Sequence, residues 1–326
     1  MNRTGAQHPK VPKPSWRKDL RLEGPGGEAI DLWRTLTSHG LTELPPMAID
    51  TDLRAMQVTL PVDGGRPRMV DISLGAPGKL RIQVHGVPPD EAARAGLETT
   101  IRHVLRLDED LSAFYAMVED DPDLAWVTAG AGRLVRSPTV FEDVIKTICT
   151  TNCAWSATTR MIGALCEHLG ERAPDAPDDG PLGRAFPTPA AMAHADEAFY
   201  RDVVRAGYRG AYMRTIAKGV VAGNFDLESL GRVSPEDLPD DDVETRLLEL
   251  PGVGPYAAAH IMLVLGRTSR LILDSWTRPK YAQLVGKKKV SDKTIERRFK
   301  KYGRYCGLAF WMYLTSDWVE DEPPSA

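Results

Sequence analysis

Two features of the sequence, twenty residues apart, carry its chemistry. The first is Leu250-Pro-Gly-Val-Gly-Pro-Tyr256, where Gly252 and Gly254 lie between two stretches of helical periodicity. Glycines there can take positive φ and present bare N–H groups at a helix start. A phosphate oxygen docked on such a turn gains several backbone hydrogen bonds and the helix dipole without touching a base. Alone, Gly-Val-Gly reads equally as a turn with Pro255 in the first helical turn. The second feature is Asp274, which ends the apolar run Leu271-Ile-Leu273. It is an N-cap candidate for a helix over 275–284. A carboxylate held that rigidly at a cleft can also stabilise positive charge developing on a substrate. Immediately downstream, residues 278–304 hold eleven Lys and Arg against Asp292 and Glu296, a net of +9. The whole chain has a formal charge of −4, so the remainder is near −13 and the basic stretch is a segregated patch. Taken alone, such a run is a solvated helix face. Beside the hairpin and the carboxylate it points to nucleic acid.

The elements that must position these groups follow from periodicity. Residues 54–60, 68–74 and 79–84 alternate apolar and polar side chains and are separated by Asp63-Gly-Gly65 and Ala76-Pro-Gly78, which predicts antiparallel strands. A helix over 31–38 would pack on them. From residue 90 the period becomes helical, with helices expected over 90–105, 111–118, 140–169, 188–194, 197–204, 211–222, 235–248, 255–265, 275–284, 291–301 and 305–315. The Asp-, Pro- and Gly-rich stretch 170–184 predicts an exposed loop. The expected organisation is a flexible arm over 1–26, a β-rich domain over 27–108 and a helical region over 109–326, with the hairpin at 248–258. The fold class expected is α+β.

Composition narrows the function classes. No run of 18 apolar residues occurs and the first residues lack an apolar core, so neither a membrane span nor a secretory signal is expected and residence is expected to be cytoplasmic. Cys149, Cys153, Cys166 and Cys306 form no Cys-x-x-Cys and read as thiols within the fold rather than as metal or cluster ligands.

Hairpin, apolar segment and Asp at this spacing resemble the helix-hairpin-helix DNA glycosylases, and the resemblance extends from about residue 31 to 318. Phe141-Glu-Asp-Val-Ile-Lys-Thr-Ile-Cys-Thr-Thr-Asn152 is similar to the helix of 8-oxoguanine and AlkA-type enzymes whose Asn fills the hole left by a flipped base. Ala206-Gly-Tyr-Arg-Gly-Ala-Tyr212 resembles the segment that wedges into the duplex, and Phe186-Pro-Thr-Pro-Ala190 a helix-start phrase of the same group. The family implies an N-terminal antiparallel β-domain followed by a mostly helical, two-lobed catalytic region. It also implies double-stranded DNA with a damaged or modified base as partner, and a monomer. By this resemblance Asp274 is catalytic, and Asn152, Tyr208, Arg209, Gly252, Gly254 and Ala257 contact DNA. The carbonyls of Leu248, Leu250 and Val253 would hold a structural K+ or Na+, with no other cofactor. From the residues themselves, Tyr208 is a flat wedge able to replace base stacking and Arg209 a donor fork for the orphaned base. Either could equally be a satisfied residue at a loop-to-helix junction, and Asn152 could equally cap or cross-link helices.

Bifunctional 8-oxoguanine enzymes carry a nucleophilic Lys two positions after the last hairpin glycine, whereas here Tyr256 stands there. Schiff-base chemistry needs that amine. The expectation is therefore a monofunctional enzyme that uses water, without the β-lyase step. Gly-Val-Gly-Pro-Tyr is more like adenine-excising MutY hairpins, but the four-cysteine cluster of those proteins is absent. By matching position, His260 should face the flipped base with Phe310 and Leu314 stacked near it, and Trp276, Trp311 and Trp155 would add aromatic surface or core. Phe310 stands where 8-oxoguanine enzymes have a base-reading Gln. Such a pocket suits a cationic alkylated purine through cation–π attraction, or a modified cytosine. The alternatives are a DNA-binding lesion sensor without catalysis, an 8-oxoguanine- or MutY-like excision, and a lyase acting through another amine such as Lys280.

Overall fold

The structure, a computed structural model, describes residues 14–318. The chain opens with strand β1 (Pro14–Arg21), helix α1 (Leu32–Leu36) and strands β2 (Met47–Asp50), β3 (Ala55–Val62), β4 (Gly65–Leu74) and β5 (Lys79–His85). They form one antiparallel sheet in the order β1-β5-β4-β3-β2. Register puts Val70 opposite Val58 and Val84, and Ile72 opposite Met56 and Ile82. All six side chains are fully buried, on the sheet face covered by Leu97, Ile101 and Val104 of helix α2 (Glu91–Val104). Each such burial contributes about 1.5–3 kcal/mol. The alternate positions Gln57, Asp71 and His85 bond to one another instead.

The rest is helical: α3 (Ser112–Val118), α4 (Val140–Thr150), α5 (Trp155–Leu169), α6 (Pro189–His194), a π-turn (Phe199–Val203), α7 (Arg209–Val221), α8 (Leu227–Leu230), α9 (Asp240–Leu248), α10 (Pro255–Leu265), α11 (Thr277–Leu284), α12 (Asp292–Phe299) and α13 (Cys306–Thr315). Every residue from Ala257 to Leu265 is buried, because α10 is apolar all round and separates two cores. Ala258, Ile261 and Met262 pack with α4, α7 and α9, whereas Ala259 and Leu263 pack with α13 and α3. The N-terminal end of α10 therefore holds the hairpin against a rigid centre.

The α+β class agrees with expectation, but several boundaries differ. The arm expected over 1–26 is ordered from Pro14, whose strand completes the sheet edge against β5; residues 1–13 of that arm lie outside the described residues. β2 and α8 were too short to show a period. The helix expected over 140–169 breaks at 151–154. Thr150 and Thr151 turn their hydroxyls back onto the carbonyls of Thr147 and Ile148, and Asn152 enters the left-handed region at φ +47°. The helix expected from residue 235 begins at Asp240, since Pro239 disfavours helical geometry at Leu238.

Candidate active site

The hairpin uses its two glycines differently, and only one of them takes the positive φ open to glycine. Gly252 does, at +84°, and a Cβ there would stand 2.4 Å from Cδ2 of Tyr212. Gly254 is extended, with φ −102° and ψ −177°, and a Cβ there would meet nothing. The turn is tied by Val253 N–H to the Leu250 carbonyl (3.1 Å) and anchored by the buried side chains of both residues. No side chain caps α10, so among the described residues the N–H groups of Gly254, Tyr256 and Ala257 have no acceptor. Open space beside free N–H groups at a helix start is a geometry that accepts a phosphate. The carbonyls of Leu248, Leu250 and Val253 lie in the same turn, and Leu250 already accepts one hydrogen bond there.

Beside the hairpin, Tyr208 is 53% exposed and its ring packs 5.7 Å from Tyr212, the residue that covers Gly252. Arg209 departs from the expected role of a donor to the orphaned base. It is buried, lies over the Tyr208 ring and donates through Nε (3.0 Å) and Nη2 to the Thr151 carbonyl. Its work is positional: it fixes the α4–α5 turn from which the exposed Asn152 projects.

Asp274 does cap the segment entering α11. Its Oδ1 accepts the N–H groups of Trp276 (2.8 Å) and Thr277 (2.6 Å), and its own N–H donates to Thr277 Oγ1 (2.9 Å). Oδ2 has no hydrogen-bond partner among the described residues. The carboxylate is thus oriented through one oxygen and available through the other. Tyr256 lies within its field, and burial, offset by a hydrogen bond with Thr150 (3.3 Å) and reinforced by Asp274, pushes the phenol's pKa up. A neutral phenol stands where a nucleophilic amine would be needed.

Deeper in, the His260 ring lies 6.1 Å from that of Tyr256 and its Nδ1 is 3.3 Å from Thr147 Oγ1. Burial lowers its pKa to about 4. His39, 6.2 Å away, is lowered to about 3 by burial and then by His260, and its Nε2 donates to the Val135 carbonyl. Both rings are neutral near pH 7, so His260 presents a neutral polar edge. Trp276 is 39% exposed and packs on Trp311 and Trp318 at 5.7 and 5.5 Å, while Trp311 donates Nε1–H to the Ser38 carbonyl.

Two expected pocket residues are placed elsewhere. Phe310 and Leu314 have no exposed surface; Phe310 packs on Phe299 and Tyr281 in the α13 core, so neither offers a face to a base in this conformation. Trp155 packs its ring edge on Gly40 rather than joining the pocket. The basic patch is also less free than its count suggests. Arg278, Lys280, Arg298 and Lys301 pair with Asp292, Asp317, Asp123 and Asp121, leaving the exposed Lys287, Lys288, Lys289, Lys293, Arg297, Lys300 and Arg304 as its open part among the described residues. Cys149 and Cys166 are buried thiols, Cys153 and Cys306 partly so, and no group of metal-ligating side chains occurs among the described residues. Thr147, Thr150 and His39 escaped the sequence reading. The hydroxyls sit at i and i+3 on the α4 face toward α10, a spacing that could have revealed the first two, whereas nothing local marks His39.

No protein-family model matches the chain. It is 26% identical over 221 residues to a probable N-glycosylase/DNA lyase of Methanothermobacter thermautotrophicus, covering 62% of this chain and 67% of that protein. It is 26% identical over 247 residues to the N-glycosylase/DNA lyase of Saccharomyces cerevisiae, covering 65% and 64%. The chain thus spans about two thirds of the length of these relatives. By sequence its likeness is to DNA glycosylases. In fold, such glycosylases are equally its neighbours. MBOgg1, solved with a low-affinity DNA ligand, superposes with a TM-score of 0.70 at 19% identity, over 95% of this chain and 98% of that one. The 3-methyladenine DNA glycosylase of Archaeoglobus fulgidus gives 0.68 at 18%, over 92% and 98%. The apo 8-oxoguanine glycosylase/lyase of Clostridium acetobutylicum gives 0.66 at 18%, over 94% and 97%. These structures share the fold of this chain over more than nine tenths of its length.

Proposed function

We propose that the protein binds duplex DNA, flips a damaged or modified base from the stack and hydrolyses its N-glycosidic bond with Asp274 as the assisting carboxylate, acting as a monomer without a Schiff-base lyase step. The observation that carries this reading is Asp274 itself, fixed through Oδ1 and free at Oδ2, beside a tyrosine in the position of the amine. Glycosidic cleavage passes through an oxocarbenium-like sugar, and a fixed carboxylate stabilises that charge and orients the attacking water. Extruding the base costs a few kcal/mol, which wedge and phosphate contacts offset. The exposed Tyr208 and Asn152 supply the wedge and filler, and the free N–H groups of Gly254, Tyr256 and Ala257 supply a phosphate contact. Neutral carbonyl donors at Leu248, Leu250 and Val253 suit a hard monovalent cation such as K+ or Na+. Among bases, an alkylated purine or a modified cytosine fits the aromatic surface of Trp276 and the neutral edge of His260. An 8-oxoguanine substrate is the second reading, favoured by the name of the Clostridium structure, and the DNA lyase in the names of the two relatives favours a lyase step with it. Duplex oligonucleotides carrying single lesions, incubated with enzyme and then with or without alkali, test both. The proposal expects strand breaks that need alkali; breaks without alkali would refute the monofunctional reading.

A further inference from the structure

The far end of α10 closes a cavity of about 520 Å³, onto which Arg102, His103, Arg106, Arg136, Arg267 and Arg304 open. It lies about 16 Å along the helix from the hairpin, given 1.5 Å per residue. The four carboxylates around it are already engaged. Asp108 pairs with Arg102, Glu109 with Arg106 and Asp240 with Arg267, while Asp110 accepts the Ser112 N–H. Arg106 and Arg267 are further held by carbonyls, Arg106 by those of Leu263 and Val264 at the end of α10 and Arg267 by those of Leu238 and Val233.

Arg136 is different. Its Nε donates to the His103 carbonyl (2.9 Å), and its Nη1 and Nη2 have no acceptor among the described residues. Asp143 lies behind it but directs Oδ1 to the Ser137 N–H. Burial first and Arg106 next hold the Arg136 pKa down to about 10, offset only in part by Asp143 and Glu109. Arg304 donates to the Tyr305 hydroxyl and has no carboxylate partner among the described residues. His103, lowered to about 4 by burial, is a neutral part of the lining.

We propose that this cavity is a binding site for a small phosphate-bearing anion, held on Nη1 and Nη2 of Arg136 with Arg304 as second donor and separate from the DNA-reading end of α10. The planar guanidinium fork matches two phosphate oxygens. The volume admits a ligand as large as a nucleotide. The surrounding Asp108, Glu109, Asp110 and Asp240 accept one compact phosphate beside Arg136 but repel an extended polyanion, which disfavours a DNA backbone as its source.

Isothermal titration of the full chain with inorganic phosphate, at ionic strength matched with chloride, tests this. The expected result is saturable binding at one site, weakened by about tenfold or more in Arg136→Gln. Arg304→Gln should weaken it several-fold, and undamaged duplex should not displace the phosphate. Absence of saturable binding, or equal binding in both variants, would overturn the site. Displacement by duplex would overturn its separateness by making it part of the DNA surface. Should Arg136→Gln fail to fold, undiminished affinity in Arg304→Gln would overturn the proposal alone.

Discussion

The two hairpin glycines make a discriminating pair of substitutions. In Gly252→Ala the new residue must hold φ +84°, which costs an L-residue about 1–2 kcal/mol. Its Cβ also falls 2.4 Å from the Tyr212 ring, which must shift out of its edge contact with Tyr208, a pair worth roughly 0.5–1.5 kcal/mol. Together these give about 1.5–3.5 kcal/mol. With an unfolding entropy of roughly 2.1 cal/mol/K per residue, that lowers Tm by about 2–5 °C in a chain of this length. Duplex affinity should fall as well, since the turn that presents the N–H groups is distorted. In Gly254→Ala the backbone is extended and the Cβ meets no protein atom, so Tm should stay within about 1 °C. That Cβ nevertheless projects into the space a phosphate would occupy, and duplex affinity should drop about tenfold or more. Differential scanning calorimetry and fluorescence anisotropy on a labelled duplex read the two effects separately. Wild-type affinity in Gly254→Ala, or an unchanged Tm in Gly252→Ala, would refute the reasoning.

Replacing Arg209 with Ala removes a charge-assisted bond to the Thr151 carbonyl and should cost about 1.5–3 kcal/mol in denaturant unfolding while impairing base extrusion; an effect on extrusion alone would restore the role of a direct base contact. Tyr256→Lys should yield a borohydride-trapped covalent adduct on lesion-bearing duplex where the natural protein yields none, and an adduct with the natural protein would point to another amine such as Lys280. His260 titrates at about 4 in the folded chain and near 6.5 unfolded, so the unfolded state binds the extra proton between these values and stability is lost as pH falls through that window. Its share between pH 6.5 and 5 is about 2 kcal/mol. His39 acts with the same sign, whereas Asp143, raised to about 7 chiefly by burial, acts with the opposite sign over the same range. The difference between natural and His260→Gln unfolding curves isolates the first, and parallel curves would show that His260 is not neutral in the fold.

What the sequence made legible was what it encodes locally. Gly252, Gly254 and Asp274 are punctuation in adjacent segments, and their spacing alone set the hairpin and the carboxylate at the two ends of one buried helix and its following loop. The central strands showed through the alternation of Val58, Val70 and Ile72 with polar neighbours. Arg209 was misread because its acceptor is a carbonyl 58 residues away, which no local pattern can reveal. Phe310 was misread for a related reason: α13 is apolar on every side, so periodicity cannot say which face looks toward a pocket and which toward Phe299. The basic stretch was overcounted because Asp121 and Asp123, which neutralise part of it, arrive from the segment after α3.

The central claim is that Asp274 acts on the sugar while the rest of the site holds the DNA. Single-turnover release of a modified base by Asp274→Asn, measured beside duplex affinity, tests it most directly. The amide keeps an oxygen for the Trp276 and Thr277 N–H groups, so folding and affinity should persist while release slows by at least about 100-fold. Release within a few-fold of the natural protein, at equal affinity, would contradict the account.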